Sequence, residues 1–233
     1  MPDGALAARL SAIDARIADA ARAAGREPGE ITRIVVTKFH PAQLVSDLQA
    51  LGVTDVGENR QQEMTAKRAS LREARAESAG LRWHFIGQAQ TNKAAAIRRG
   101  ADVVHSVDRL RLADALHRAA DDDRVLDVLV QVNLTDDAGR GGSALTDAEE
   151  LAEHVLGQDS LRLRGVMAVA PLDEDPAPAF ARLRGVSERV RSLAPDASWI
   201  SAGMTGDFVQ AIDAGATHLR IGSAITGPRP ERG

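Results

Sequence analysis

Eight short apolar runs alternate with longer helical segments along the whole chain, and this alternation restricts the possible folds more than any other feature. Runs rich in β-branched residues are typical of strands, and here they lie at 31–36, 54–56, 83–86, 103–105, 128–132, 163–168, 198–201 and 218–221. The segments at 128–132 and 165–169 present apolar side chains to both faces, as parallel strands covered by helices do. The alternation therefore predicts an α/β fold built on a parallel sheet.

Helical periodicity occupies the segments between these runs and also precedes the first of them. An opening helix is predicted at about 5–24, and further helices at 41–50, 61–74, 91–99, 108–119, 147–156, 180–193 and 205–213. Eight strand–helix units favour a closed barrel over an open doubly wound sheet, because the Gly-x-Gly-x-x-Gly fingerprint and the P-loop motif are both missing. We therefore expect residues 1–233 to form one (β/α)8 TIM-barrel domain with an extra N-terminal helix, and two long loops at 135–146 and 171–178.

The composition argues against several classes of function. A formal net charge of −4 and an aromatic content of 3% offer neither the basic surface nor the stacking residues that nucleic-acid binding requires. The sequence has no cysteine, and its six histidines do not cluster at metal-ligand spacing. No segment reaches the roughly 18 apolar residues of a membrane span, and residues 1–24 lack the apolar core of a signal peptide. We therefore expect a cytoplasmic protein that binds no metal, nucleic acid or membrane.

Barrel active sites form at the carboxyl ends of the strands, and a lysine lies at the end of the first predicted strand. Lys38 directly follows the apolar and β-branched residues 34–37. An amine held in apolar surroundings has a lowered pKa and becomes a nucleophile able to form a Schiff base. The alternative is an ordinary solvated lysine at a strand end.

Polar residues also accompany the second and third strands. Asn59 lies in a polar turn at 57–63, where its amide is placed either to hydrogen-bond a ligand or to cap the following helix. His84 lies inside the third strand, where it is either a general acid or base or a hydrogen-bonded core residue. The residue types alone do not decide between ligand binding and structure.

Small and hydroxyl-bearing residues follow the last two strands. The loop after the seventh strand begins at Ser201 and continues through 202–207, and the loop after the eighth contains Gly222 and Ser223. Backbone N–H groups and hydroxyls in such loops form the phosphate site that many barrels build after strands seven and eight. Tight turns without a ligand are the alternative, but two matching loops favour phosphate binding.

A lysine combined with two phosphate loops provides the parts of a site for pyridoxal 5′-phosphate (PLP). The motifs that carry a family resemblance are VVTKFHP (35–41), GENRQQE (57–63), WHFIGQAQTNK (83–93), HSVDR (105–109), LRLRGVMAV (161–169) and SAGMTGDFVQAIDAGATHLRIGSAITG (201–227). In this order, and over nearly the whole chain, they resemble the YggS/PROSC family of PLP homeostasis proteins. The resemblance implies a barrel like the N-terminal domain of alanine racemase, with PLP held as a Schiff base on Lys38.

The resemblance also implies roles for five further residues. Ser201, Gly222 and Ser223 would hold the phosphate of the cofactor. Asn59 would lie beside the cofactor, and Arg220 would face the pyridine nitrogen.

The chain departs from the family pattern around this site. Ser223 stands where threonine is usual, which keeps a hydroxyl. Arg60 replaces a usual tyrosine, Thr226 replaces a usual aromatic residue, and Thr205-Gly206 replaces a usual Ser-Asp pair. These departures alter the rim of the implied cofactor site and leave its centre intact.

The residues and the resemblance together favour binding over turnover. A guanidinium only donates hydrogen bonds, so Arg220 would leave the pyridine nitrogen unprotonated and the ring a weak electron sink. A racemase of this fold also needs a second acid or base, typically a tyrosine from another domain, whereas this sequence has no tyrosine and predicts no second domain. We therefore expect a monomer that stores, protects or delivers PLP without dedicated turnover, with PLP-dependent apoenzymes as recipients.

Two other functions remain open. One is a weak PLP-dependent amino-acid racemase that uses His84, Lys93 or water as its second base. The other is a barrel enzyme in which the same loops bind a phosphorylated small molecule, although no carboxylate pair for acid–base catalysis is evident.

Overall fold

Eight parallel strands close into a barrel in the order in which they occur along the chain. The computed structural model describes residues 4–74, 80–135, 137–171 and 174–230. Its strands are β1 (Thr32–Val36), β2 (Asp55–Glu58), β3 (Arg82–Phe85), β4 (Val103–Val107), β5 (Leu126–Gln131), β6 (Leu161–Met167), β7 (Trp199–Ser201) and β8 (His218–Ile221). Its helices are α1 (Gly4–Ala23), α2 (Ala42–Ala50), α3 (Gln61–Glu73), α4 (Ala94–Gly100), α5 (Leu110–Arg118), α6 (Ala148–Leu156), α7 (Pro176–Leu193), α8 (Phe208–Asp213) and α9 (Ser223–Thr226). The predicted (β/α)8 barrel with an N-terminal helix is confirmed.

The first and last strands close the barrel. Val35 of β1 lies opposite Val56 of β2 on one side and opposite Ile221 of β8 on the other. Because every pairing is parallel, the carboxyl ends of all eight strands meet at one end of the barrel. Segments from the beginning and the end of the chain therefore meet at that end.

The strands are buried on both faces. In β4, Val104 packs toward the helices, while Val103 and His105 alternate to the other face. Val103 joins Leu129 and Met167 in a small apolar cluster of its own inside the barrel. Burial on both faces explains why the strands are uninterrupted apolar runs in the sequence.

The N-terminal helix α1 is joined to the last strand–helix unit. Its buried face is formed by residues spaced three or four apart, namely Leu6, Leu10, Ile13, Ile17 and Ala21. α1 packs against α8 and α9, and Arg9 Nε donates to the Ile225 carbonyl at 2.7 Å. α1 therefore supports the segment that follows β8.

The predicted start of α7 at 180 was wrong. The helix begins at Pro176, because the Asp175 carboxylate accepts a hydrogen bond from the Ala177 amide at 3.0 Å, and proline is favoured in a first helical turn. The loop predicted at 171–178 is correspondingly shorter, and its residues 172–173 lie outside the described ranges.

The predicted start of α8 at 205 was also wrong. The helix begins at Phe208, because the Asp207 carboxylate accepts from the Met204 amide at 2.6 Å and closes a turn over 204–207. The loop predicted at 135–146 is present with one 3₁₀ turn at 138–140, and its residue 136 lies outside the described ranges.

No helix in the described ranges combines the length and the apolar composition needed to cross a membrane. The assignment of residues 1–233 to one domain stays a prediction.

Gly165 in β6 provides a test of the barrel register. Its φ angle is 147°, and a Cβ atom there would lie 1.9 Å from the Trp199 carbonyl oxygen of β7. Gly165→Ala should therefore destabilise the protein by about 3 kcal/mol or more, measured as the free energy of unfolding in urea. The control is Gly185→Ala in α7, where the nearest atom belongs to Arg189 at 3.9 Å and alanine is favoured by about 0.5–1 kcal/mol. Equal stabilities of the two variants would contradict the β6–β7 register.

Candidate functional site

A cavity opens at the carboxyl end of the barrel, between the segments that follow β1, β2, β3, β6, β7 and β8. Its volume is about 590 Å³, which lies within the range of small-molecule sites. Five of the six residues predicted for the site line it, namely Lys38, Asn59, Arg220, Gly222 and Ser223. The barrel therefore brings together most of the residues that the sequence predicted.

Positive charge dominates this cavity. Lys38, Arg220 and Arg229 line it together with His40, and the lining residues within the described ranges include no aspartate or glutamate. Cations that lie close together without a carboxylate among them attract an anion. The cavity is therefore suited to a ligand that carries phosphate.

A tight turn after β1 presents Lys38. The next residue, Phe39, has a φ angle of 69°, which is rare for a bulky residue and must be held by its surroundings. Its amide donates to the Glu63 carboxylate at 2.9 Å, and the Arg229 guanidinium lies 3.8 Å from the centre of its ring. Lys38 itself is exposed, so the predicted apolar surroundings of its amine were wrong.

The sequence contains three lysines, all within the described ranges, and their surroundings differ. Lys67 is buried, and its amine donates to the Glu58 carboxylate at 2.5 Å and to the Thr37 carbonyl at 2.7 Å. Lys93 lies in a separate depression after β3. Lys38 is therefore the lysine whose amine is exposed at this cavity.

Thr37, Glu58 and Lys67 form a buried cluster beneath the β1 turn. The Thr37 hydroxyl also donates to Glu58 at 2.6 Å, while the second carboxylate oxygen has no partner among the described residues. Burial raises the pKa of Glu58, against the opposing effects of the Lys67 charge and of both hydrogen bonds. The cluster ties the end of β1 to β2 and α3, and it thereby fixes the backbone next to Lys38.

Asn59 follows β2 and lies at the cavity wall. α3 begins after Arg60, and no side chain caps its first turn, so the structure does not support the alternative role of Asn59 as a helix cap. The amide oxygen of Asn59 is buried and has no hydrogen-bond partner within the described part of the chain. A buried acceptor without a partner is costly, so this oxygen is available to a donor on a ligand.

The loops after β7 and β8 offer unused donors. The amides of Thr205 and Gly206 donate to no acceptor within the described residues, and both residues line the cavity. Ser223 is exposed at the cavity, and its hydroxyl makes no hydrogen bond within the same residues. These donors lie where the sequence predicts a phosphate group.

Ser201, the sixth predicted residue, does not line the cavity, so its predicted contact with phosphate gains no support from the cavity. It is fully buried inside the barrel, where its hydroxyl accepts from Arg220 Nη1 at 2.7 Å and lies 2.9 Å from His105 Nδ1. Arg220 Nη2 donates to the Ala168 carbonyl at 2.8 Å. Burial lowers the pKa of Arg220 to about 10, with the charge of Asp207 opposing this shift. The guanidinium is therefore still protonated at neutral pH.

The candidate acid–base groups also differ from those predicted. His84 is fully buried and hydrogen-bonded to Asp55 and His105, so the structure supports its role as a core residue. His40, which the sequence prediction did not single out, lines the cavity, and burial, followed by the charge of Lys67, lowers its pKa. It belongs to the motif VVTKFHP, but the sharp turn before it could not be read from that motif.

Within the described ranges no group of three or more side chains is able to hold a metal ion.

The positions that depart from the family pattern fall into two groups. Thr205, Gly206, Ser223 and Thr226 line the cavity. Arg60 lies outside it, with its guanidinium 5.4 Å from the centre of the Phe39 ring, in a more open depression of about 760 Å³ that also contains Arg229. None of the six predicted site residues lines that depression.

Comparison with known proteins assigns the barrel to the alanine racemase type. The family of alanine racemase N-terminal domains matches residues 8–230. The pyridoxal phosphate homeostasis protein of Mycobacterium tuberculosis is 43% identical over 235 residues, which cover 94% of this chain and 91% of the relative. The chain belongs to this family of pyridoxal phosphate homeostasis proteins, as the motifs predict.

Solved structures support the same assignment. PipY of Synechococcus elongatus, solved with PLP bound, has a TM-score of 0.82 and 31% identity, and the match covers 95% of this chain and 100% of that one. The alanine racemase of Corynebacterium glutamicum has a TM-score of 0.66 and 17% identity, covering 96% of this chain and 62% of that one. The second likeness shows the fold alone.

Removal of the Lys67 amine should destabilise the turn that presents Lys38. In Lys67→Met the buried Glu58 carboxylate loses its counter-charge, and breaking such a pair costs about 3–5 kcal/mol. The pKa of Glu58 would then lie further above its ordinary value of 4.5. The folded variant then holds the Glu58 proton more tightly than the unfolded chain does. The loss of stability in Lys67→Met is therefore absent below about pH 4.5 and grows as the pH rises.

Urea unfolding between about pH 5 and about pH 8 measures this effect. Lys93→Met is the matched control, and the double variant Glu58→Gln/Lys67→Met should recover most of the stability because no charge is left buried. A pH-independent loss in Lys67→Met would contradict a charged Glu58–Lys67 pair.

Proposed function

We propose that this protein binds PLP covalently through Lys38 and serves PLP homeostasis by storing, protecting or delivering the cofactor. One observation carries the proposal: Lys38 is exposed in a cavity that is positively charged and lined by no described carboxylate. The names of its relatives and the PLP bound to PipY support the same function.

The residues at the cavity fit the groups of PLP. The amides of Thr205 and Gly206, with the Ser223 hydroxyl, are donors for the phosphate. The unpaired oxygen of Asn59 is an acceptor beside the ring, and Arg220 is a donor for the pyridine nitrogen. Each of these residues lines the same cavity of about 590 Å³.

The charge of Arg220 favours holding the cofactor over transforming an amino acid. When bound, PLP supplies an aldehyde that condenses reversibly with a primary amine and a ring that withdraws electrons from it. Because the Arg220 guanidinium stays protonated and can only donate, it leaves the ring nitrogen without a proton. Electron withdrawal by the ring is then weaker, which disfavours carbanion chemistry.

The exposure of Lys38 supports release of the cofactor from the site. A bond to an exposed amine is open to water and to incoming amines, so the cofactor can leave the site. We therefore propose that PLP-dependent apoenzymes receive the cofactor and that the protein has no dedicated catalytic turnover. We also propose that residues 1–233 form one PLP-binding domain and that the working unit is a monomer.

The absorbance of purified protein with PLP, before and after borohydride, tests the cofactor site. The wild-type protein should show a band near the visible edge that borohydride removes, and peptide mapping should find the reduced label on the peptide containing Lys38. Lys38→Ala should lose both the band and the label, because the amine of Lys67 is buried against Glu58. Lys93→Ala, the matched control, should keep both.

Label on Lys93, or an unchanged band in Lys38→Ala, would contradict Lys38 as the anchor. A complete absence of the band in the wild-type protein would instead favour a barrel enzyme that binds a phosphorylated small molecule with the same donors.

A weak PLP-dependent amino-acid racemase is the second candidate, and the position of His40 favours it. His40 lines the cavity, and its lowered pKa leaves the ring neutral and able to accept a proton near neutral pH. His84 is buried in the barrel and Lys93 lies outside the cavity. A racemase would therefore use His40 as its second base.

We expect the PLP-loaded protein to exchange the α-protons of amino acids with deuterated water no faster than free PLP does, because the ring withdraws electrons only weakly. Loss of the α-proton signal in NMR spectra, over a panel of amino acids, measures the rate. Faster exchange that disappears in Lys38→Ala and falls strongly in His40→Gln would establish catalysis in place of carriage.

A further inference from the structure

A chain of side-chain hydrogen bonds crosses the interior of the barrel from Arg220 to Asp55. Arg220 Nη1 lies 2.7 Å from the Ser201 hydroxyl, which lies 2.9 Å from His105 Nδ1. His105 Nε2 lies 2.9 Å from His84 Nδ1, and His84 Nε2 lies 2.9 Å from Asp55 Oδ1. The five residues are buried and belong to five different strands. The chain therefore joins the cavity to the amino end of β2, where Asp55 lies.

The two ends of this chain determine the direction of every hydrogen bond in it. A guanidinium can only donate, so Ser201 accepts from Arg220 and keeps its own hydrogen available for His105 Nδ1. A neutral His105 then carries its proton on Nε2 and donates to His84 Nδ1. His84 in turn donates from Nε2 to the Asp55 carboxylate, which can only accept when ionised.

Both histidines are held in the neutral form that this direction requires. Burial lowers the pKa of His84, although Asp55 opposes the shift. Burial also lowers the pKa of His105 well below its ordinary value, and the charges of His84, His218 and Arg220 would act in the same direction. Two neutral rings can each donate from one nitrogen and accept at the other.

Asp55 is the anionic end of the chain. Burial alone would raise its pKa, but hydrogen bonds from His84 and Thr54 and the positive charge of Arg82 lower it to about 2. At the other end, the partners of the Arg220 guanidinium within the described residues are the Ser201 hydroxyl and the Ala168 carbonyl, and neither is charged. A buried cation needs compensation, and aligned hydrogen bonds that end on a carboxylate strengthen one another.

We propose that this chain positions Arg220, with its other four members holding the guanidinium at the floor of the cavity. Its effect on a bound cofactor rests on the function proposed above. The proposal assigns Ser201 to the ring side of the site rather than to the phosphate. The chain is not a proton relay, because its guanidinium end releases no proton at neutral pH.

The direction of the hydrogen bonds can be tested without any cofactor. Side-chain ¹⁵N NMR of the protein without PLP should show His84 and His105 neutral, each with its proton on Nε2, at neutral pH. A proton on Nδ1 of either ring, or a charged ring, would overturn the proposed chain.

Affinities for PLP and for pyridoxal, which lacks the phosphate, separate the two roles of Ser201. In Ser201→Ala both affinities should fall by a similar factor of about tenfold, the effect of losing one hydrogen bond to a charged group, so that their ratio stays unchanged. In the control Ser223→Ala the affinity for PLP alone should fall. If the affinity of Ser201→Ala for PLP fell more than its affinity for pyridoxal, Ser201 would contact the phosphate and the proposal would be overturned.

Asp55→Asn tests the far end of the chain, because asparagine keeps an acceptor oxygen and removes the charge. The absorption maximum of bound PLP should shift, and both affinities should fall together. The control is Asp127→Asn, since Asp127 lies near the amino end of β5 and pairs with Arg162 outside the chain. If Asp55→Asn and Asp127→Asn gave the same absorption maximum and the same affinities, the proposed role of Asp55 would be overturned. If the wild-type protein binds neither PLP nor pyridoxal, the proposed function fails, whereas the NMR result still decides the chain.

Discussion

Pairing between β1 and β8 is the contact on which the rest of the structure depends. It aligns Val35 with Ile221, so that Lys38 and Gly222 follow neighbouring strands at the same end of the barrel. Neither segment forms a site alone, because the exposed amine lies on the first and the unused hydroxyl of Ser223 lies on the last. α1 supports this joint by packing against α8 and α9. A helix outside the barrel therefore contributes to the geometry of a cavity that it does not line.

The polar side chains that hold Arg220 in the proposed chain lie in the barrel interior, where burying them lowers the stability of the fold. Barrel interiors are usually filled with branched apolar side chains, whereas His84, His105 and Ser201 occupy part of this one. Buried polar groups are tolerated when every donor and acceptor has a partner, and each member of the chain supplies the partner of the next. Removal of an inner member leaves each of its two neighbours with one hydrogen-bonding group that lacks its partner, so the chain is most stable when it is complete.

The fold and most of the site follow from the sequence because both depend on repeating or local signals. The alternation of apolar runs and helices predicts the barrel, and convergence of strand ends then brings Lys38, Asn59 and Gly222 together. The role of Ser201 could not be predicted in this way, since it depends on whether an inward side chain reaches the cavity or a partner beneath it. That partner, His105, is far away in the sequence, and only the register of the closed barrel brings the two together. The histidine after the β1 turn was missed because the positive φ before it belongs to a residue other than glycine.

Exposure at one end of the cavity and burial at the other place different demands on a bound cofactor. Lys38 meets solvent, so a bond to its amine is open to hydrolysis and to exchange with other amines. Arg220 is enclosed by the barrel, so in the proposed site its charge would not change as the bond forms or breaks. Catalysis gains rate from excluding water and from an acid or base held against the reacting carbon, and an exposed amine works against the first of these. Release of a cofactor requires the opposite, because water or an amine must reach the bond. Access to Lys38 and the weak electron withdrawal expected of the ring therefore both favour the proposed carriage over catalysis.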